Sequence, residues 1–205
     1  MLLCQDVYPS YTYRNEESMS ENGVETEIKL RVQDEKYARD LFEINGLRVV
    51  HERAFEANCV YDTAGGEVRS RGHLLRLRSV GDKAVLTWKG TATSGIHKSR
   101  PETEVIVSDF VRCDSLLKSL GYGVVFRYEK FRTEFSDLSD GGIATLDETP
   151  IGTFLELEGP SEWIDRLAGR LGFTADDYIT ASYGTLYLEY CETNQLSSGF
   201  MLFGE

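Results

Sequence analysis

The run Val24-Glu25-Thr26-Glu27-Ile28-Lys29-Leu30-Arg31-Val32 alternates charge with apolar or small side chains over the length of a strand. Successive strand side chains point to opposite faces, so two carboxylates, an ammonium and a guanidinium share one face while Ile28, Leu30 and Val32 take the other. A solvated edge strand gives the same pattern once. Here it recurs, with Arg76 and Arg78, Lys89, Glu102 and Glu104, Lys130 and Arg132, and Glu156 and Glu158 all at alternate positions of strand-like segments. Acids arrive as close pairs and bases as close pairs, a segregation that solubility does not require. Several helical segments with single apolar stripes also need a surface to pack on, and the apolar faces of these strands supply it. An α+β architecture satisfies both demands: an antiparallel sheet closed into a barrel, with helices outside and charge within.

The helical stripes are read from i, i+3/i+4 spacing: Tyr37, Leu41 and Ile44; Phe110, Leu116, Leu117 and Leu120; Trp163, Leu167 and Leu171; Leu186 and Tyr190. Asn45-Gly46 and Gly121 are the stop signals of the first two. Leu74–Arg78 and Ala84–Gly90 flank a Gly81-Asp82 turn and form a hairpin. Pro101 places the start of its strand at an edge or bulge. The Gly-Tyr-Gly at 121–123 is no dinucleotide fingerprint, because Phe126 stands where the third glycine belongs.

At 205 residues the chain suits one domain over 23–193, with a loose tail at 1–22, in which Met19 is a candidate alternative start, and a frayed tail at 194–205. The 22 basic and 34 acidic residues give a net charge of −12, which repels nucleic acid and anionic lipid and confines any anion site to a local basic pocket. No apolar run reaches transmembrane length. Cys4, Cys59, Cys113 and Cys191 lack metal-ligand spacing and read as free thiols. His51, His73 and His97 are equally scattered. With no secretion signal at the first residues, the expected location is cytoplasmic. The sequence leaves the protein a monomer or a homodimer.

Charges inside a barrel persist only when paired, hydrated or bound to ions. Paired carboxylates suit a hard divalent cation, Mg2+ or Mn2+, and clustered Arg and Lys suit a polyanion. Together they describe a metal-bound oligophosphate, in which one or two metal ions meet the acids.

The Glu-x-Glu-x-Lys of Glu25, Glu27 and Lys29, Leu-Arg-Leu-Arg at 75–78, Thr-Trp-Lys-Gly at 87–90, Lys130-x-Arg132 and the run Leu146 to Gly159 resemble, in order, the motifs of the CYTH family. This superfamily, the triphosphate tunnel metalloenzymes, includes class IV adenylyl cyclases, thiamine triphosphatases and inorganic tripolyphosphatases. The resemblance spans about residues 24–191 and implies an eight-stranded tunnel. It implies Glu25, Glu27, Glu156 and Glu158 as metal ligands, with Glu104 and Asp147 as further acidic candidates. Lys29, Arg76, Arg78, Lys89, Lys130 and Arg132 would hold the phosphates, Lys29 and Arg78 being the candidate catalytic residues. Glu102 follows Pro101 and is a weaker candidate. Arg31 and Glu134 fall near the tunnel mouths, where structural ion pairs are expected. Ser182-Tyr183 resembles a family segment, though a helix cap and a core aromatic explain it as well.

Metal-dependent hydrolysis of a small-molecule triphosphate is the first expectation. The absence of any nucleophile-base pair agrees with a reaction that needs positioning and charge neutralisation. Adenylyl cyclase activity is the alternative. Cyclase-like members of the family carry a His-Phe pair six residues before the first Glu, where this chain has Met19-Ser20. A non-catalytic polyphosphate- or nucleotide-binding barrel is the third reading, disfavoured because anion capture is better served without acids.

Overall fold

The computed structural model describes residues 23–136 and 141–204. Met19-Ser20 and the rest of 1–22 lie outside the described residues. Eight strands, β1 (Val24–Val32), β2 (Arg48–Thr63), β3 (Leu74–Val80), β4 (Lys83–Lys89), β5 (Lys98–Val107), β6 (Tyr122–Ser136), β7 (Ile143–Thr149) and β8 (Gly152–Glu158), close into a barrel. The order around it is β1-β5-β4-β3-β2-β6-β7-β8, every neighbour antiparallel. The helices are α1 (Glu35–Ile44), α2 (Glu67–Ser70), α3 (Phe110–Ser119), α4 (Ser161–Arg170) and α5 (Tyr183–Thr193). The closed antiparallel barrel expected from the charge pattern is therefore present. Pro101 sits inside β5, not on a sheet edge. Its carbonyl accepts from Gly90 N at 2.8 Å, so the donor it lacks faces the point where β4 has just ended.

Both faces of β1 are buried. Ile28, Leu30 and Val32 point outward into the main apolar core, where α1 brings Ala38 and Phe42 and α4 brings Trp163, Ile164, Leu167 and Ala168, with Leu171 just beyond it. Trp163 packs so closely on Gly142 that a Cβ there would stand 2.3 Å from the indole. The stripe expected on α4 is the buried one. On α1 it is displaced by one residue: Tyr37 and Ile44 are 45% and 83% exposed, while Ala38 and Phe42 are fully buried and Leu41 partly so. Period alone does not choose between two offset stripes, and the small Ala38 lets the helix approach the sheet. On α3, Leu117 is buried with Phe110 and Cys113 packed beside it against Tyr61 and Leu77, whereas the expected Leu116 and Leu120 face solvent. Three helices start at side-chain caps: Asp34 for α1, Asp109 for α3 and Ser182 for α5.

The barrel's ladders run out in two places, and later chain fills both. β1 pairs with β5 only as far as Glu27↔Lys98; beyond it, Lys29 exchanges two backbone hydrogen bonds with Ile179, at 2.8 and 2.9 Å. β6 pairs with β7 only from Phe131 onward, and Met201 takes the vacant edge, donating to Arg127 O at 3.0 Å and accepting from Glu129 N at 2.9 Å. Unpaired buried strand edges are costly, which explains why these segments dock. The expected frayed tail is thus corrected. Met201 is fully buried against Tyr128, Phe154 and Tyr183, and Phe203 packs its ring on Phe131.

Met201→Ala should lower stability by about 2–5 kcal/mol, the usual cost of truncating a buried methionine. Urea unfolding measures it; a loose tail would give no change.

Candidate active site

Side-chain alternation directs the charged positions of the strands to one interior, a cavity of about 710 Å³. Its charges are organised in linked groups. Lys89 lies between two carboxylates, 2.6 Å from Glu25 Oε1 and 3.1 Å from Glu102 Oε1. Glu27 accepts from Lys29 at 3.4 Å and from Lys98 at 3.1 Å, and Lys29 also meets Glu156 at 3.2 Å. Arg76 donates to Tyr128 OH at 3.2 Å and to Glu104 at 3.3 Å, while Thr87 holds the same Glu104 oxygen at 2.7 Å. Arg78 bridges Glu56 at 3.3 Å and Glu104 at 3.6 Å.

Asp147 is the most enclosed acid. It accepts from Lys130 at 2.8 Å, from Arg132 at 2.7 and 2.6 Å and from the Tyr183 hydroxyl at 2.7 Å, and Arg132 reaches on to Glu156. A metal bonded directly to Asp147 would have to displace these donors. Glu158 stands across from Glu27 on the neighbouring strand. Arg31 donates to Ile151 O at 3.1 Å and stacks on Phe154, and Glu134 pairs with His51 at 2.8 Å. Both therefore make structural contacts, Glu134 while still lining the cavity. Ser182 caps α5, which sets the following Tyr183 over Lys29 and Lys130.

Five interior residues were not assigned to the site from sequence: Glu56, Asn58, Lys98, Arg100 and Tyr128. Glu56 and Asn58 are buried at alternate positions of β2 and face Lys130 and Tyr128 across the ladder. Lys98 and Arg100 extend the register of Glu102 and Glu104 back past Pro101, opposite Glu27 and Glu25. That register was readable as one continuous i, i+2 series.

The electrostatics follow from enclosure. Burial alone would raise the Glu27 carboxyl, but Lys29, Lys89, Lys98 and Arg100 together hold it well below its usual range. Burial is likewise outweighed at Glu56, pulled to about 2 by Arg78, Lys130 and Arg132, and at Glu104, pulled to about 2 by Arg78 and Arg76. Glu102 goes the other way, to about 7: burial leads, and Glu25 and Glu104 add repulsion that Lys89 does not cancel. Burial, then Asp147, raises the Tyr183 phenol, so it remains a donor.

A family model described as the CYTH domain matches residues 23–169 of this chain, well over half of it. The chain belongs to the CYTH family. A Methanocaldococcus jannaschii protein, provisionally named an adenylate cyclase, is 27% identical over 135 residues, 66% of this chain and 76% of that protein. Among solved structures, a provisionally named adenylate cyclase of Vibrio parahaemolyticus superposes with a TM-score of 0.70 at 20% identity, covering 84% of this CYTH chain and 99% of that one. A Pyrococcus horikoshii protein gives 0.68 at 23% identity over 80% and 98% of the two chains. A Hippeastrum protein gives 0.58 at 19% identity over 85% and 97%; it is described as a provisional adenylyl cyclase with a dominant triphosphatase activity. No helix among the described residues is long and apolar enough to cross a membrane.

The lowered carboxyls fix the acid response of this CYTH barrel. Glu56 titrates lower in the folded than in the unfolded chain, so its contribution is fully present above about pH 5 and is lost as pH falls towards 2. Thermal melts between pH 7 and 2 should show that loss, and Glu56→Gln should flatten it; an unchanged slope would remove Glu56 as a contributor.

Proposed function

We propose that this CYTH protein hydrolyses a small-molecule triphosphate held inside the barrel, using a divalent cation, Mg2+ or Mn2+. The observation that carries the reading is the convergence of Lys29, Arg76, Arg78, Lys89, Lys130 and Arg132 with paired carboxylates in one enclosed cavity. Cations on every side of a cavity suit a ligand with charge along its whole length, and each one now held by a carboxylate has a phosphate oxygen as its natural alternative partner.

The donor set fits a divalent ion of a particular kind. Among the described residues, no three His, Cys, Asp or Glu side chains form a ready-made cage. Glu27 and Glu158 nevertheless lie directly opposite each other on β1 and β8, so two carboxylates share one part of the cavity lining, Glu27 being held now by Lys29 and Lys98. One or two carboxylates completed by phosphate oxygens and water is the usual magnesium arrangement. Glu25, Glu27, Glu156 and Glu158 would hold the ion, in exchange for the Lys89, Lys29 and Arg132 contacts that the first three make now; Glu104, a further acidic candidate, is held by Arg76, Arg78 and Thr87. When bound, the ion neutralises phosphate charge and lowers the pKa of water.

The chain's own residues do the positioning. Lys89 and Arg76 grip one part of the phosphate chain, and Lys130 and Arg132 another. Lys29 and Arg78 neutralise the charge spread over the reacting phosphoryl group as water attacks in line and the bond to the bridging oxygen breaks. Tyr183, tied to Asp147, keeps Lys130 and Arg132 oriented.

The name of the M. jannaschii relative favours a second reading, cyclisation of ATP to cyclic AMP with release of pyrophosphate. Product analysis separates the two. Incubated with Mg2+ or Mn2+, the protein should release phosphate from tripolyphosphate or ATP and stop in chelator; dominant cyclic AMP with tripolyphosphate left intact would overturn the hydrolase reading.

Lys89→Ala should weaken triphosphate binding about ten- to a hundredfold, the scale of one charge-assisted contact. Calorimetric titration tests it. Because Lys89→Ala also releases Glu25 and Glu102, a thermal melt of the variant accompanies the titration.

A further inference from the structure

The interior does not end where its charges end. On the wall made by β2, β3 and β6, Arg76 faces Val60, Val60 faces Phe126, and the next inward position of β3 is Leu74. The β2–β6 register slips at this level: Val60 pairs with Phe126 but Tyr61 pairs with Val124, leaving Val125 as an extra residue. Val125 lines the same cavity as Arg76 and Lys89, and so does Leu188 of α5. Both are apolar and more than half exposed, at 53% and 56%. Asp62, which lines the cavity here, is spent on capping α2, accepting from Val68 N at 2.8 Å and Arg69 N at 3.1 Å.

The other end of this wall has the opposite character. It is built from His51, Glu52, Glu134 and the turn carrying Asp82 and Lys83. A polyanion meets acids there, whereas beside Leu74 it meets Arg69 and His73 at the rim. Exposed apolar side chains at the mouth of a cavity with charged groups deeper in are the ordinary make-up of a site for a ligand with one apolar and one polar end.

We infer that the end of the cavity between α2 and α5 receives the organic group of the substrate. The preferred ligand is an organic triphosphate ester whose substituent presents an apolar face to Val125 and Leu188, with its phosphates directed inward to Arg76 and Lys89. Inorganic tripolyphosphate has no surface to offer these side chains and leaves them in water. This inference rests on the reading that the interior binds triphosphates; it is independent of whether the bound triphosphate is hydrolysed or cyclised.

The test measures binding and turnover separately. Calorimetry with adenosine triphosphate, thiamine triphosphate and inorganic tripolyphosphate should show at least one organic ester binding about tenfold or more tightly than tripolyphosphate. In the double variant Val125→Ser/Leu188→Ser that ratio should collapse towards one, and Val125→Ile/Leu188→Met should restore it. Equal affinity for organic and inorganic ligands, or a ratio untouched by the serine variant, overturns the inference. Organic preference without phosphate release would reject the hydrolase reading and retain this one; phosphate release without organic preference would do the reverse. Failure of every triphosphate to bind rejects both.

Discussion

Charge compensation inside a closed barrel is the constraint on which the rest of this structure depends. A lone ion in such an interior costs several kcal/mol, and removing one partner of a buried pair typically costs about 3–5 kcal/mol. The interior answers with shared partners: Glu104 serves Arg76 and Arg78, Glu156 serves Lys29 and Arg132, and Asp147 serves Lys130 and Arg132. Because the links are shared, the positions of the cations are mutually fixed before any ligand arrives. Cations held in advance around a polyanion's path are what phosphoryl transfer requires, since its transition state is stabilised by fixed charge more than by covalent chemistry.

That interior dictates the exterior. With charge within, the apolar faces of β1, β7 and β8 must be covered from outside, and α1 and α4 do so through Phe42, Trp163, Ile164 and Leu167. α3 covers the hairpin side through Leu117. The remaining weakness of a sheared barrel is ladder that outruns its neighbour. Ile179 and Met201 close those edges, and in doing so they bring α5 against the interior, with Tyr183 touching Asp147. A segment recruited for backbone hydrogen bonding thus delivers a site residue.

Much of this was legible in the chain. The alternation of Glu25, Glu27 and Lys29, and its repetition in Arg76/Arg78, Glu102/Glu104 and Glu156/Glu158, determined a closed sheet with charge on one face, because strand geometry sends alternate side chains to opposite sides. The hairpin of β3 and β4 and the buried stripe of α4 followed from turn residues and helical period in the same local way. Less legible was Glu56, set between Phe55 and Ala57 in β2, whose burial depends on Arg78 and Lys130 from two other strands.

What only the tertiary structure decided is everything set by register and docking. Which carboxylate meets which cation depends on the stagger between strands, so Lys89 finds Glu25 across β5 and Asp147 is saturated by Lys130, Arg132 and Tyr183. Which stripe of α1 is buried depended on how closely Ala38 allows the helix to approach β1, and the fate of Met201 on an unfilled strand edge more than seventy residues away. Local pattern fixes the face on which a residue lies because that is a property of a few consecutive dihedrals; its partner is chosen by long-range closure, which no short stretch of sequence contains.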